Sequence, residues 1–450
     1  MIKNREELLS HGFIAGREKA LDIVEYALAQ VNPRNGLKKH VTLEGEILHV
    51  GKHVFDLRKI EHIYAVGAGK ATYLQAVALE EILGDRIADG FIAVKEGQEG
   101  TLSRIRMAES AHPVPDTRSL KAAQEIISVA GKAGEDDLVF CLMSGGVSAQ
   151  AVFPVPEISL ADKIEVNRLL VHSGADVTEI MTVRRHLSQI KGGRFAERIL
   201  PATIVALTVS DEKSDSMEWN TDWTSPDSST LADAVVVLKK YGLWHRTPER
   251  VKRYLLNAGP EKETPKTFAS GSPVYNHMIV TVRELWEAAV GKAKGMGLRP
   301  VLLTSSMNGE SREVGRILSS IAQEIHRSGN PMKPPCVLIG AGETAVRMES
   351  DASGEGGANQ ELAAGACLGL QKDDPIVICA IDTDGTDGPT GIAGALTDGS
   401  TEANAAKRGH DVFKGLMEHD ISPVLREVGD AIITGQTGTN VNDLAVIVVL

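Results

Sequence analysis

Short apolar runs alternate with segments of helical spacing along most of this chain, and nearly every apolar run empties into a glycine-rich polar loop. Ala20, Ile23, Val24, Ala27, Leu28 and Val31 recur at three- and four-residue intervals, so residues 17–31 read as an amphipathic helix. The stretch VTLEGEILHV at 41–50 reads as a small hairpin turning at Glu44-Gly45. The alternation then begins. Strands are expected at 62–66, 91–94, 137–143 and 203–209, with helices at 71–83 and 117–130 and two more within 160–190. Short strands separated by helices predict a mainly parallel sheet covered on both faces.

The segment NAGPEKETPKTFASGSPVYN at 257–276 interrupts the pattern with Pro260, Pro265, Gly271 and Pro273, and a domain boundary is expected there. Beyond it the alternation resumes. Strands are expected at 277–282, 301–304, 336–340, 376–381, 431–433 and 444–449, with helices at 283–296 and 310–326. A chain of 450 residues is long enough for two cores. The expected architecture is α/β in two domains, 1–262 and 270–450, each a mainly parallel sheet in a Rossmann-like three-layer arrangement.

Composition narrows the partners. Lys and Arg number 48 and Asp and Glu 60, a net charge of −12, which argues against nucleic acid and anionic membranes. The four cysteines form no CxxC pair, so a zinc cluster is not expected, and Cys141 and Cys379 lie in apolar runs as core residues. No basic leader with an apolar stretch and no long apolar run is present, so a cytoplasmic protein without a membrane span is expected.

In open α/β sheets, ligands bind beyond the carboxyl ends of the strands. There the chain reads GAGKAT at 67–72, where Gly67 and Gly69 let backbone approach an anion and Lys70 supplies charge. This is neither a P-loop nor a full dinucleotide fingerprint, since Thr72 replaces the third glycine, and a plain strand–turn–helix junction is the alternative. SGGVSA follows the strand ending at Met143, and its Ser144, Gly145, Gly146 and Ser148 offer N–H and hydroxyl donors. Asp211 follows the strand ending at Val209. Asp382, Asp384 and Asp387 crowd the loop DTDGTDGPTGIAG, which suits Mg²⁺ or else a simple polar turn. HPVPD at 112–116 holds His112 in a rigid loop. TVRRHLSQIKGGR at 182–194 gathers Arg184, Arg185, His186, Lys191 and Arg194, as a binding cluster or as a solvated helix face. His186 reads as structural.

Taken in order, these loops resemble the glycerate 2-kinases that carry a MOFRL domain, a family often labelled hydroxypyruvate reductase. The likeness runs through GAGKAT, HPVPD, LMSGGVSA, TVRRHLSQIKGGRFA and VSD. It continues through GAGETAV at 340–346, NQELA at 359–363, DTDGTDGPT at 382–390 and TGTNVNDL at 437–444. The resemblance implies ATP- and Mg²⁺-dependent phosphoryl transfer to the 2-hydroxyl of D-glycerate or a related sugar acid, in a cleft between two α/β domains. It matches Lys70 to the family's active-site lysine. Asp211, Asp384 and Asp387 become candidates for Mg²⁺ or for the hydroxyl proton, and Arg184, Lys191 and Arg194 for substrate carboxylate or phosphates. Gly67, Gly69, the Ser144–Ser148 loop, Asn359, Thr439 and Asn440 are the remaining candidates for substrate and phosphate. Two departures stand out. Ala358 occupies the place of a family arginine, for which Arg347 is a candidate substitute, and the 212–230 loop, with Trp219 and Trp223, replaces a Ser-Gly-Pro-Thr turn. An NAD(P)H-dependent hydroxypyruvate reductase and a non-catalytic sugar-acid or phosphate binder are the alternatives. The expected partners are a small hydroxy acid and a nucleotide, with homodimerisation left open.

Overall fold

The apolar runs of the first half lie side by side. A computed structural model describes residues 1–211, 218, 221–348 and 354–450. One compact unit comprises Pro33–Ile279 and the other Met1–Asn32 with Val280–Leu450. This departs from the expected division at 262/270 at both ends. Strand Val274–Val280 completes the sheet of the Pro33–Ile279 unit, so the proline-rich stretch leads into that sheet and does not end the domain. Helix Ile14–Gln30 buries Ala20, Leu21, Ile23, Val24, Ala27 and Leu28 against helix Val282–Gly295 and strand Asp443–Val449, so the first residues belong to the second unit.

In the Pro33–Ile279 unit the six-stranded sheet runs in the order Arg106–Ser110, Ile87–Lys95, Ile63–Ala68, Leu138–Met143, Thr203–Val209, Val274–Val280. The first five strands pair in parallel, as expected. Ile63–Ala68 and Leu138–Met143 lie at the centre and are buried throughout, which their unbroken apolar sequence requires. Helix Thr117–Ala130 starts where the Asp116 carboxylate accepts the Arg118 N–H at 2.7 Å, and it lays Ala122 and Ile126 in a core with Val66 and Phe91. The expected helix pair resolves into Leu160–Val171 and Val177–His186, which share an apolar cluster of Leu169, Val183 and Leu238 with later helices. The hairpin at 41–50 gains a third antiparallel strand, His53–Asp56.

The second sheet corrects an expectation. Its order is Arg299–Met307, Cys336–Gly342, Asp443–Val449, Ile376–Asp382, Gly394–Asp398, Ala431–Ile432. Only the first pairing is parallel, and the other pairings among the described residues are antiparallel. Cys336–Gly342 and Ile376–Asp382 run the same way, but the last strand of the chain enters between them in the opposite sense. A strand buried on both faces reads as one apolar run whichever way it points, so periodicity predicts its existence and not its direction. All four cysteines are buried and free, and burial pushes the Cys379 thiol up to about 12. Among the described residues no helix is long and apolar enough to cross a membrane.

A buried ion cluster holds the N-terminal helix in this unit. Arg17, on the first turn of helix Ile14–Gln30, donates to Asp398 at 2.6 Å and to Asp430 at 2.7 Å, and all three are shielded from solvent. Burial alone would raise the Asp398 carboxyl, but Arg17 outweighs it and holds the group below its usual range. Arg17→Ala removes the guanidinium from two buried carboxylates, leaving Asp430 with His11 and Asp398 with hydrogen bonds alone, and is expected to cost about 3–5 kcal/mol, read by urea unfolding. The Asp398 contribution is complete above the ordinary carboxylate range and is lost as pH falls toward its lowered folded value, so the Arg17→Ala deficit should shrink in acid. A deficit unchanged down to acid unfolding would exclude this account.

Candidate active site

Each unit carries its own group of the candidate residues, and each is described separately. In the Pro33–Ile279 unit the loops after two adjacent strands are stitched together by backbone. The Lys70 N–H donates to the Gly145 carbonyl at 2.9 Å, and the Ala71 N–H donates to the Ser144 hydroxyl at 2.9 Å. The Gly69 N–H donates to the Gln150 side-chain carbonyl at 3.0 Å. Gly69 has φ +135°, and a methyl group there would collide with Ser144. Gly67 lies inside strand Ile63–Ala68, where a side chain would strike the Leu142 carbonyl. These two glycines therefore serve strand and loop packing, which removes the need for a dinucleotide to explain them.

The left-handed turn at Gly146, φ +91°, brings two side chains together. A β-carbon built on Gly146 would sit 3.2 Å from both Lys70 Cγ and His112 Cδ2. Lys70 is half-buried, and its stem runs along the turn that opens the short helix Val147–Gln150. His112, noted in the sequence only as part of a rigid loop, is thus a neighbour of the candidate lysine.

Beside this turn lies a cavity of about 510 Å³. The Ser144–Ser148 loop, Arg184, Lys191 and Asp211 all line it, so the structure brings together the greater part of the predicted set in this unit. The cations are held without full compensation. Lys191 donates to Asp222 at 2.7 Å, and Asp222 also accepts from Arg185 at 2.6 Å. Burial pulls the Lys191 ammonium below its usual value, with Asp222 restoring only part of the shift. Burial raises the Asp222 carboxyl, yet Lys191 and Arg185 outweigh it and hold it low. Arg184 donates to the Asn167 side-chain oxygen at 3.2 Å, and no carboxylate among the described residues pairs with it. Lys163 stands behind it, fully buried, donating to the Arg184 carbonyl at 2.7 Å. Burial and then the neighbouring Lys191 and Arg184 push the Lys163 ammonium well below its ordinary range.

Three predicted members do other work. Arg194 does not line the cavity; its guanidinium donates to the carbonyls of Ser188 and Lys262 and ties two loops together. Arg185 is buried in ion pairs with Asp222, Asp227 and Glu218. His186 is structural as expected, its ring bonded to the Thr182 carbonyl at 2.8 Å. Trp223 is fully buried against Phe195 and forms part of the cavity wall, while Trp219 and most of the 212–220 segment lie outside the described residues.

In the second unit the aspartate loop is rearranged relative to expectation. Asp387 caps helix Ala358–Cys367, its two oxygens accepting the Asn359 N–H at 3.0 Å and the Gln360 N–H at 2.8 Å. Asp384 accepts the N–H and hydroxyl of Thr386 and shapes the turn. Both Asp387 oxygens are thus engaged at the helix start, whereas in the Asp384 turn it is Oδ1 that accepts both bonds. The carboxylates that face one another are Asp382 and Asp443, partners across two paired strands. Burial, then Asp382, Glu343 and Asp387, drive the Asp443 carboxyl well above its ordinary range. Both line a second cavity of about 370 Å³ with Ala358, Glu361 and His419. Sequence reading missed Asp443 and Glu361, whose burial and pairing depend on long-range strand register.

Asn359 lies at the start of this helix, its side chain on Asp387. Thr439 anchors to the Val31 carbonyl at 2.7 Å, and Asn440 is buried in the same loop. Arg347 is exposed, does not line the cavity beside Ala358, and offers its backbone N–H to Glu310 at 3.3 Å. Its guanidinium therefore does not stand in for the absent one.

The comparisons agree along the chain. Residues 19–256 match the model of a domain of unknown function, DUF4147, and residues 336–443 match the MOFRL family. The chain is 39% identical to a D-glycerate 2-kinase of Thermotoga maritima, over 86% of this chain and 90% of that protein. It is 36% identical to a glycerate 2-kinase of Pyrococcus horikoshii, over 96% and 97%. A putative hydroxypyruvate reductase of Agrobacterium vitis is 36% identical over 85% and 86%. A crystal structure of the Thermotoga maritima glycerate kinase superposes with a TM-score of 0.80 at 37% identity, covering 96% of this chain and 99% of that one.

Asp387→Ala is expected to lower stability by about 1–2 kcal/mol through the lost cap, read by urea unfolding. The stabilisation conferred by Mg²⁺ should be the same in the variant and the parent. A variant that folds normally but no longer responds to Mg²⁺ would return Asp387 to the metal.

Proposed function

We propose, from the premise that the chain belongs to the DUF4147 and MOFRL family of the glycerate 2-kinases, that it transfers a phosphoryl group from ATP to the 2-hydroxyl of D-glycerate or a closely related hydroxy acid. The observation that carries this reading is the Lys70 stem against the Gly146 turn, beside a cavity lined by Arg184 and Lys191. Phosphoryl transfer needs positioning and charge neutralisation more than covalent chemistry. Lys70 is suited to neutralising phosphate oxygens, and the Ser144–Ser148 loop to presenting N–H and hydroxyl donors to an anion. Asp211, on the cavity wall, is suited to accepting the proton of the attacking hydroxyl.

Mg²⁺ keeps several waters and needs only one or two carboxylates. Asp382 and Asp443, opposite one another across paired strands, fit that requirement better than Asp387, both of whose oxygens accept backbone N–H groups. When bound there, the ion would supply neutralisation of phosphate charge. The reductase reading is the weaker one. Gly67 and Gly69 are absorbed by packing, and Glu96, the acidic residue just beyond strand Ile87–Lys95 where a dinucleotide's ribose would need a partner, is ion-paired with Arg118 at 3.1 Å.

The test is ADP formation with ATP, Mg²⁺ and D-glycerate, followed by a panel of three- and four-carbon hydroxy acids. Turnover is expected, and Lys70→Ala should lower kcat by about 10²–10³-fold, the scale of losing one aligned charge in a water-poor site. No ADP with any acceptor, or NADH oxidation with hydroxypyruvate, would overturn the assignment.

A further inference from the structure

The Pro33–Ile279 unit holds another cavity, of about 410 Å³, that shares no lining residue with the one beside the Gly146 turn. Arg250, Arg253 and Tyr254 of helix Glu249–Asn257 line it, together with Glu157, Glu261 and Lys262. Neither of its carboxylates pairs with an arginine. Glu157 accepts from Lys262 at 3.1 Å, and the Glu261 carboxylate folds back on its own turn, where a β-carbon on Gly259 would collide with it. Arg250 and Arg253 are exposed and stand three residues apart on one helix face, and among the described residues no carboxylate pairs with either. Like charges at that spacing repel, and an anion entering the cavity would relieve both.

The wall of this cavity is also tied to the turn that carries Lys191. The Lys262 carbonyl accepts from the Arg194 guanidinium, which donates as well to the Ser188 carbonyl. The Arg194 backbone N–H donates to the Lys191 carbonyl at 3.3 Å, and the Lys191 N–H donates to the Ser188 hydroxyl at 3.3 Å. The next residue along, Glu263, meets the His186 ring at 3.2 Å with one oxygen and accepts the Leu231 N–H at 2.8 Å with the other. Residues 259–263 therefore hold both ends of the 186–194 stretch, whose Lys191 lines the cavity beside the Gly146 turn.

We infer that the Arg250–Arg253 cavity binds a small phosphorylated acid, and that its occupation steadies residues 259–263 and, through Arg194, the Lys191 turn. A guanidinium presents a planar fork of N–H donors that matches two phosphate oxygens, and the cavity offers two of them. The Lys262 ammonium stands on the same wall for a second anionic group such as a carboxylate. This is a second site, separate from the cavity assigned to the reaction, and it stands whether or not the phosphotransferase reading does.

The test is amide hydrogen exchange of the full chain with phosphoglycolate, and with malonate as an acid without phosphate, at equal ionic strength. At ten times its Kd, phosphoglycolate should slow exchange in peptides covering 250–263 and 186–194 by about tenfold, and malonate should slow them less. The double variant Arg250→Ser, Arg253→Ser changes two exposed side chains and should unfold in urea as the parent does. In it the slowing at 250–263 should vanish and that at 186–194 should shrink, while any slowing at 144–148 from binding in the other cavity is kept. Arg253→Lys alone retains the charge without the fork and should show weakened slowing, which covers the case of a double variant that does not fold. No slowing at 250–263 in the parent, or slowing there that survives in the double variant, would overturn the site. Slowing at 186–194 that is identical in parent and double variant would overturn the link to Lys191. Equal slowing by malonate would overturn the assignment to phosphate.

Discussion

One buried carboxylate, Asp222, holds the cationic region of the Pro33–Ile279 unit in place. It accepts from Arg185 and Lys191, and its carbonyl receives the Gly193 N–H at 2.9 Å. Helix Val177–His186, the glycine turn that follows it and the loop leading to Trp223 therefore meet at a single residue. Without that charge, Lys191 would lose its carboxylate partner beside the buried Arg185, which would keep Asp227 and Glu218. With it, Arg185 becomes a structural ion and its sequence neighbour Arg184 is left facing the cavity without a carboxylate. Two adjacent arginines thus have opposite roles, and the difference lies in which one the carboxylates reach.

Much of the fold was legible because its signal is local. Helical spacing at 17–31, apolar runs at 137–143 and 203–209 and the paired helices within 160–190 each reappear within a few residues of the expected limits. What was hidden depended on distant segments. The direction of strand Asp443–Val449 follows from its insertion between two strands already joined by a helical connection, and nothing in its own seven residues records that. The return of helix Ile14–Gln30 to the second unit likewise rests on Arg17 meeting Asp398 and Asp430, some four hundred residues later.

The candidate site divides in the same way. Lys70, the Ser144–Ser148 loop and Asp211 follow predicted strands, and a parallel sheet places such loops at one end. The aspartate loop misled because closely spaced carboxylates look alike in sequence whether they bind metal or backbone. Asp387 was assigned to its cap by the helix beginning at Ala358, an element the apolar pattern did not mark. Once Asp387 is assigned to its cap, Asp382 gains importance through Asp443, sixty-one positions away but directly opposite it across paired strands.

The chain's net charge of −12 conceals this arrangement. The cavity beside Lys70 is cationic, with Lys163 and Arg184 held below their ordinary ranges by burial. The cavity beside Ala358 is lined by Asp382, Asp387, Asp443 and Glu361, with no lysine or arginine among its described lining residues. An arginine at position 358 would stand among those carboxylates. Burial pushes Glu361 up against the pull of His419 and Arg312, and burial followed by Asp382, Glu343 and Asp387 pushes Asp443 up. Arg347 does not relieve them. Cations therefore gather on the cavity wall beside Lys70 and carboxylates on the cavity wall beside Ala358, a separation of charge within each unit that the net figure averages away.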